Sequence, residues 1–182
     1  MATVNSYTEC MPTPERTSVD AIVAAARDIL EADGLAGLTM QAVAVRVGVR
    51  APSLYKRLES RDDLIRLIAE ATLDELSNLD GDIYAVAAAV RRIAHARPAA
   101  FQLVMSGAVR TSEAVFVAAS EPILRAAAAL AGPDNALVAA RTVTAWATGF
   151  IGMELNGGFN LGGDLDEAWA FGLERLVAAI RG

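Results

Sequence analysis

The sequence predicts an all-α protein, and three features carry that prediction. Strong helix formers dominate a chain that is 54% apolar but only 5% aromatic, a composition suited to helices packed closely through small side chains. Apolar residues recur at helical spacing, and no polar–apolar alternation longer than a few residues marks a strand. Capping residues, glycines and prolines divide the periodic segments into helices of ordinary length. With 182 residues the chain can bury a sizeable core, as one compact domain or two small ones.

The elements follow in order. Residues 1–16 are polar, hold Pro12 and Pro14, and read as a loose N-terminal arm. Helix one begins near Thr17 or Ser18, where Thr17 and Asp20 fit a capping box, and Ile22, Ala26, Ile29 and Leu30 form its apolar stripe. Gly34 stops it. Thr39 caps helix two, whose core positions are Met40, Val43, Ala44 and Val47, and Gly48 ends it after about two turns. Pro52 suits the first turn of helix three, expected over about 51–58 with Leu54 and Leu58 inward. Ser60 and Asp63 open helix four, which continues to about residue 79 as a connector. Beyond Asp80-Gly81-Asp82, alanine-rich helices are expected at about 82–96, 98–107, 112–131, 135–156 and 165–181. Pro122, with Ser120 as a local cap, is expected to split or kink the third of these.

Composition also excludes. The chain is too apolar for intrinsic disorder, and Cys10, its only cysteine, rules out an internal disulfide. The longest apolar stretches, 83–90 and 142–153, are shorter than a bilayer span and flanked by charge, so no membrane association is expected. The N-terminus shows no export pattern, which points to the cytoplasm. His95 is the only histidine, so no histidine-based metal site or triad can form. The carboxylates of helix four spread around a solvated face, and the glycines at 157–163 lack the lysine of a phosphate loop. No nucleophile–base pair is visible, and no cofactor is implied.

Charge is unevenly distributed. The net charge is −6, yet residues 46–61 hold Arg46, Arg50, Lys56, Arg57 and Arg61 against Glu59 alone, including the chain's only lysine. Two short helices joined through Val47-Gly48-Val49-Arg50 make a helix-turn-helix pattern. In such a unit the second helix enters the major groove and its N-terminal side chains reach base edges. Arg50, Ala51, Pro52, Ser53, Tyr55 and Lys56 occupy that start, and Arg50 can bind guanine through two hydrogen bonds. Lys56, Arg57, Arg61 and the start of helix two at Thr39 and Gln41 suit phosphates.

Residues 17–66 resemble the N-terminal domain of the tetracycline-repressor (TetR) family of bacterial transcription regulators. The resemblance lies in Ala24-Ala25-Ala26-Arg27-Asp28-Ile29-Leu30, Gly34, Gly37-Leu38-Thr39-Met40 and Val43-Ala44. It continues through Val47-Gly48-Val49, Pro52-Ser53-Leu54-Tyr55, Leu58, Ser60-Arg61, Asp63 and Leu64, with Arg57-Leu58 where many members carry His-Phe. It implies a three-helix DNA-binding head with a helix-turn-helix, followed over 80–182 by a helical bundle for ligand binding and dimerisation. The segment Trp146 to Gly157 is similar to a Trp-x-His-Gly stretch in one subset, with Thr148 in the histidine's place.

The resemblance further implies a homodimer on a near-palindromic operator, with the last two long helices of each chain forming the interface. The apolar residues available there are Ala136, Ala139, Ala140, Val143, Ala147 and Ile151 on one helix and Trp169, Leu173, Leu176 and Ile180 on the other. Phe101, Met105, Phe116, Trp146, Phe150 and Met153 are the bulky candidates to line a pocket for a small apolar or aromatic effector. The expected function is a ligand-responsive repressor. The alternative is an all-helical small-molecule carrier or enzyme without DNA binding.

Overall fold

The computed structural model describes residues 18–181. The expected arm, Cys10 and the Thr17 cap lie outside the described residues. Ser18 caps the first helix instead, its hydroxyl accepting from the Ala21 N–H. The order is α1 (Val19–Gly37), α2 (Met40–Val47), α3 (Ala51–Leu54), α4 (Arg61–Ser77), α5 (Ile83–Ala96), α6 (Pro98–Met105), α7 (Glu113–Ala131), α8 (Ala136–Leu155) and α9 (Leu165–Arg181), with a 3₁₀ turn at Pro133–Asn135 before α8. No strand is present among the described residues.

Gly34 interrupts α1 at φ 66°, ψ −172°, a backbone state that a side chain resists. The last turn of α1 is therefore redirected toward α2. The third helix is shorter than expected. After Leu54 the chain passes into a turn over 55–57, closed by Arg57 and Leu58 N–H groups on the Leu54 carbonyl. Helix four likewise ends at Ser77, two residues early. Pro122 does not split α7. The helix runs unbroken through it, and Ser120 Oγ bonds the Phe116 carbonyl one turn back rather than capping a new start. Pro122 costs one N–H donor, but it is buried with Ala126 and Ala127 on the inner face, and that packing holds the helix together.

Two apolar cores organise the molecule. In the first, Ile22, Ala26 and Leu30 of α1 meet Val43, Leu54, Leu58, Leu64 and Ile68. Ala100 and Leu103 of α6 join the same core, so it crosses the boundary expected near residue 80. In the second, α5, α6, α8 and α9 gather Val86, Phe101, Val143, Ile151, Trp169 and Leu173. Polar ties reinforce the joint between them. Glu31 accepts the Ala99 and Ala100 N–H groups at 2.9 and 3.0 Å, capping α6 from α1. Asp28 pairs with Arg97, and the buried Arg27 with Glu75 of α4.

By length and composition α7 and the 133–155 segment are apolar enough to cross a membrane. They pass that test although neither is free of charge, since a helix can carry two charges and remain apolar on average. Both nevertheless pack on other helices of the bundle, α7 against α4, α5 and α8.

Candidate nucleic-acid interface and apolar cleft

The α2–α3 unit is built by its turn. Gly48, at φ 76°, caps α2, and the following Val49 N–H returns to the Ala44 carbonyl at 2.9 Å. The left-handed glycine reverses the chain within one residue, so α3 starts beside α2 on the outer side of the head. Leu54 and Leu58 are buried beneath it. Pro52 stands in the first turn of α3, and Arg50 is its N-cap residue with no side-chain bond to the helix.

Above that apolar anchor the polar side chains face outward. Arg50, Pro52, Tyr55, Lys56 and Arg57 are exposed, Tyr55 at 55%, while Ala51 and Ser53 are half-buried. Tyr55, Lys56 and Arg57 occupy the turn after α3, not a further helical turn. Thr39 and Gln41 are exposed at the start of α2, where the Thr39 hydroxyl is already occupied as acceptor of the Ala42 N–H. Arg61, expected among the DNA contacts, is engaged within the head. Its guanidinium donates to the Leu38 carbonyl at 2.6 Å and to the Leu35 carbonyl, so it braces the end of α1 against α4. Arg46 is also engaged, with Asp28 at 3.4 Å.

The start of α4 is held by a reciprocal cap. Ser60 Oγ accepts the Asp63 N–H, and the Asp63 carboxylate accepts the Glu59 N–H. That backbone bond, with the Arg66 guanidinium beside it, holds the Asp63 carboxyl below its ordinary range.

A cleft of about 200 Å³ lies between α4, α5, α7 and α8. Leu73, Leu76 and Leu79 floor it from α4 and the residues after it, Val86 and Val90 from α5, and Ile123 from α7. Of the six pocket candidates, Met105 and Phe116 line it, both substantially exposed at its mouth. The other four lie elsewhere. Phe101 is buried in the second core. Trp146 and Phe150 stack with Trp169 and Phe159 on the side of α8 turned toward α9. Met153 is exposed outside the cleft. Aromatic bulk alone did not separate core from cavity. The overlooked liners are aliphatic, together with Ser120, Thr144 and Thr148.

The expected interface residues need a similar correction. Ala139, Val143, Ala147, Ile151, Trp169 and Leu173 are buried within the chain, and Leu176 and Ile180 are half-buried against the second core. An apolar stripe marks where a helix packs on its own molecule, and these helices carry a second stripe facing out. Val138, Thr142, Ala145, Gly149 and Met153 form it on α8, and Ala168, Phe171, Arg175 and Ala178 on α9. Where α8 and α9 meet, Gly172 lies against the indole of Trp146.

Behind the aromatic cluster sits an ion group. Arg91 of α5 binds Glu154 through two nitrogens and Asp166 through a third, and His95 Nε2 is 2.9 Å from Glu154. Arg91 pulls the Glu154 carboxyl below its usual range against the opposing effect of burial, with His95 adding to the pull. Among the described residues no three His, Cys, Asp or Glu side chains gather as a metal site.

Residues 16–68 match the family described as bacterial regulatory proteins, tetR family, and residues 83–176 match the tetracyclin repressor-like C-terminal domain. The second match alone spans more than half of the chain. This protein belongs to the TetR family. Among relatives, an uncharacterized HTH-type transcriptional regulator of Mycobacterium tuberculosis is 30% identical over 95 residues, a match spanning 47% of this chain and 44% of that one. A protein of unknown function from Rhodococcus sp. RHA1 shares the TetR-like fold of this chain with a TM-score of 0.76 at 19% identity, over 97% of this chain and 100% of that one. The structure of BioQ with its natural double-stranded DNA operator is similar at a TM-score of 0.65 and 25% identity, over 90% of this chain and 98% of that one.

Proposed function

We propose that this TetR-family chain represses transcription by binding a near-palindromic operator as a homodimer, and that a small effector entering the cleft releases it. The observation that carries the reading is the construction of α4. Its first turns place Leu64 and Ile68 in the core beneath the helix-turn-helix, and its last turns place Leu73 and Leu76 on the cleft floor. One rigid helix therefore touches both the DNA-reading unit and the cavity. An occupant that pushes on Leu73 and Leu76 tilts the head, and two heads must keep a separation of about 34 Å to meet successive major grooves. The effector acts to the extent that it binds the two head positions unequally.

DNA binding rests on Arg50, Pro52, Ser53 and Tyr55 at the base edges and on Lys56, Arg57, Thr39 and Gln41 at phosphates. Arg61 serves by holding the head rigid. The outward stripes of α8 and α9 supply the dimer contact, since Ala145, Gly149, Ala168 and Ala178 allow close approach of helices. The operator places the protein in the cytoplasm, where the DNA is.

A gel-shift titration of the full chain on DNA upstream of its own gene tests the reading. Retardation that random duplex competes poorly is expected. Equal competition by random duplex would leave a helical small-molecule carrier as the better description.

A further inference from the structure

We infer that the cleft selects an uncharged, single-ring phenol: a compact aromatic body with one hydroxyl that donates a hydrogen bond. The inference deepens the effector reading above and rests on it for its regulatory meaning, though not for the binding itself.

Size sets the first limit. Benzene fills a protein cavity of about 150 Å³, so the roughly 200 Å³ here is matched by one ring with a short substituent. Charge sets the second. None of the lining residues is ionisable, so a carboxylate or an ammonium would surrender its hydration with no opposite charge to receive it.

Hydrogen bonding sets the third. The Ser120 hydroxyl donates to the Phe116 carbonyl at 2.9 Å, and the Thr148 hydroxyl donates to the Thr144 carbonyl at 2.7 Å. With those protons committed within their own helices, both oxygens keep lone pairs that can accept a hydrogen bond from a ligand. The Thr144 hydroxyl makes no hydrogen bond among the described residues and can serve either way. The cleft thus offers more acceptors than donors and favours a ligand that brings a donor. A phenolic O–H donates strongly yet stays neutral up to about pH 10. Met105 and Phe116 at the mouth favour an aromatic ring over an alkyl chain, through sulfur–ring and ring–ring contact.

Calorimetry on the full-length protein without DNA tests this with 4-propylphenol, its methyl ether 4-propylanisole, and 4-propylbenzoate. The phenol is expected to bind about tenfold tighter than the ether, the worth of one net hydrogen bond, and the benzoate to give no binding heat. Thr148→Val, which keeps the side chain's shape, should weaken the phenol and leave the ether unchanged. Ser120→Ala provides a second variant with the same expectation. Benzoate binding as tight as the phenol, parity of phenol and ether, indifference of both variants, or silence of all three compounds overturns the inference. Because no DNA is present, such a failure leaves operator binding standing. A protein that binds the phenol but retards no DNA supports the cleft's chemistry and removes the repressor reading instead.

Discussion

Tyr55 and Lys56 stand exposed directly above the buried Leu54 and Leu58, so their truncation removes groups that face DNA without opening the core. Tyr55→Ala should weaken specific operator binding by about 1–3 kcal/mol while sedimentation still reports a dimer. Lys56→Ala should weaken specific and random duplex alike, and lower the slope of log affinity against log salt by about one for each phosphate no longer neutralised. Leu54→Ala behaves differently: it empties a fully enclosed site and should cost about 2–5 kcal/mol of folding stability, read by denaturant unfolding. Glu154 has its own pH signature. Its carboxyl is held low in the folded protein, so the stability it contributes is present above its unfolded pKa of about 4.3 and is lost as the pH falls through the lower folded value. Melting temperature followed from pH 6 to pH 3 should fall in the wild type. In Glu154→Gln the fall should be shallower, from a lower plateau, because Arg91 loses a charged partner.

Helices α8 and α9 pack one face inside the chain and leave the opposite face, the proposed dimer contact, exposed. Their inner faces enclose the stack of Trp146, Phe150 and Trp169, with Arg91 lying over Phe150 and Trp169. A methyl group added at Gly172 would stand 2.5 Å from Trp146 Cζ2. The indole is already packed against two rings, so it must shift against them. Gly172→Ala should therefore cost about 1–3 kcal/mol, measured by thermal unfolding at a protein concentration that keeps the oligomeric state constant. The outer faces are free of such packing within the chain. Gly149→Glu on the α8 stripe should leave secondary structure intact and convert the dimer to monomer in analytical ultracentrifugation, with loss of operator binding. If instead Gly149→Glu stays dimeric, the interface lies elsewhere.

Across the whole molecule, the proposed coupling of cleft to DNA would pass through the joint between head and bundle. Core side chains of α6 continue into the head, and Glu31, Asp28 and Arg27 fasten α1 to α6, to Arg97 and to α4. Such a joint transmits a shift as a rigid displacement, because packed cores rearrange between discrete states rather than yielding gradually. Arg27 is the notable member. Two of its nitrogens, Nε and Nη2, are buried without a hydrogen-bond partner among the described residues, and its Nη1 pairs with Glu75.

Much of this architecture can be read from local chemistry. Helical periodicity, the caps at Thr39 and Ser60 and the breaks at Gly34 and Gly48 depend on neighbours within a turn, and they locate the helices, the helix-turn-helix and the outward Arg50 and Tyr55 without reference to the rest of the chain. What local pattern leaves open is the partner of each apolar stripe. Val143 and Leu173 have the spacing of an interface, yet the chain consumes them in its own core and leaves Val138 and Phe171 outside. Arg61 has the charge of a phosphate ligand, yet two carbonyls at the end of α1 claim it. Trp146 and Phe150 look like pocket walls, yet they pack with Trp169 and Phe159 while leucines, valines and hydroxyl-bearing residues join Phe116 along the cleft. Burial is a property of which surfaces meet, and only the packed arrangement of distant segments settles that.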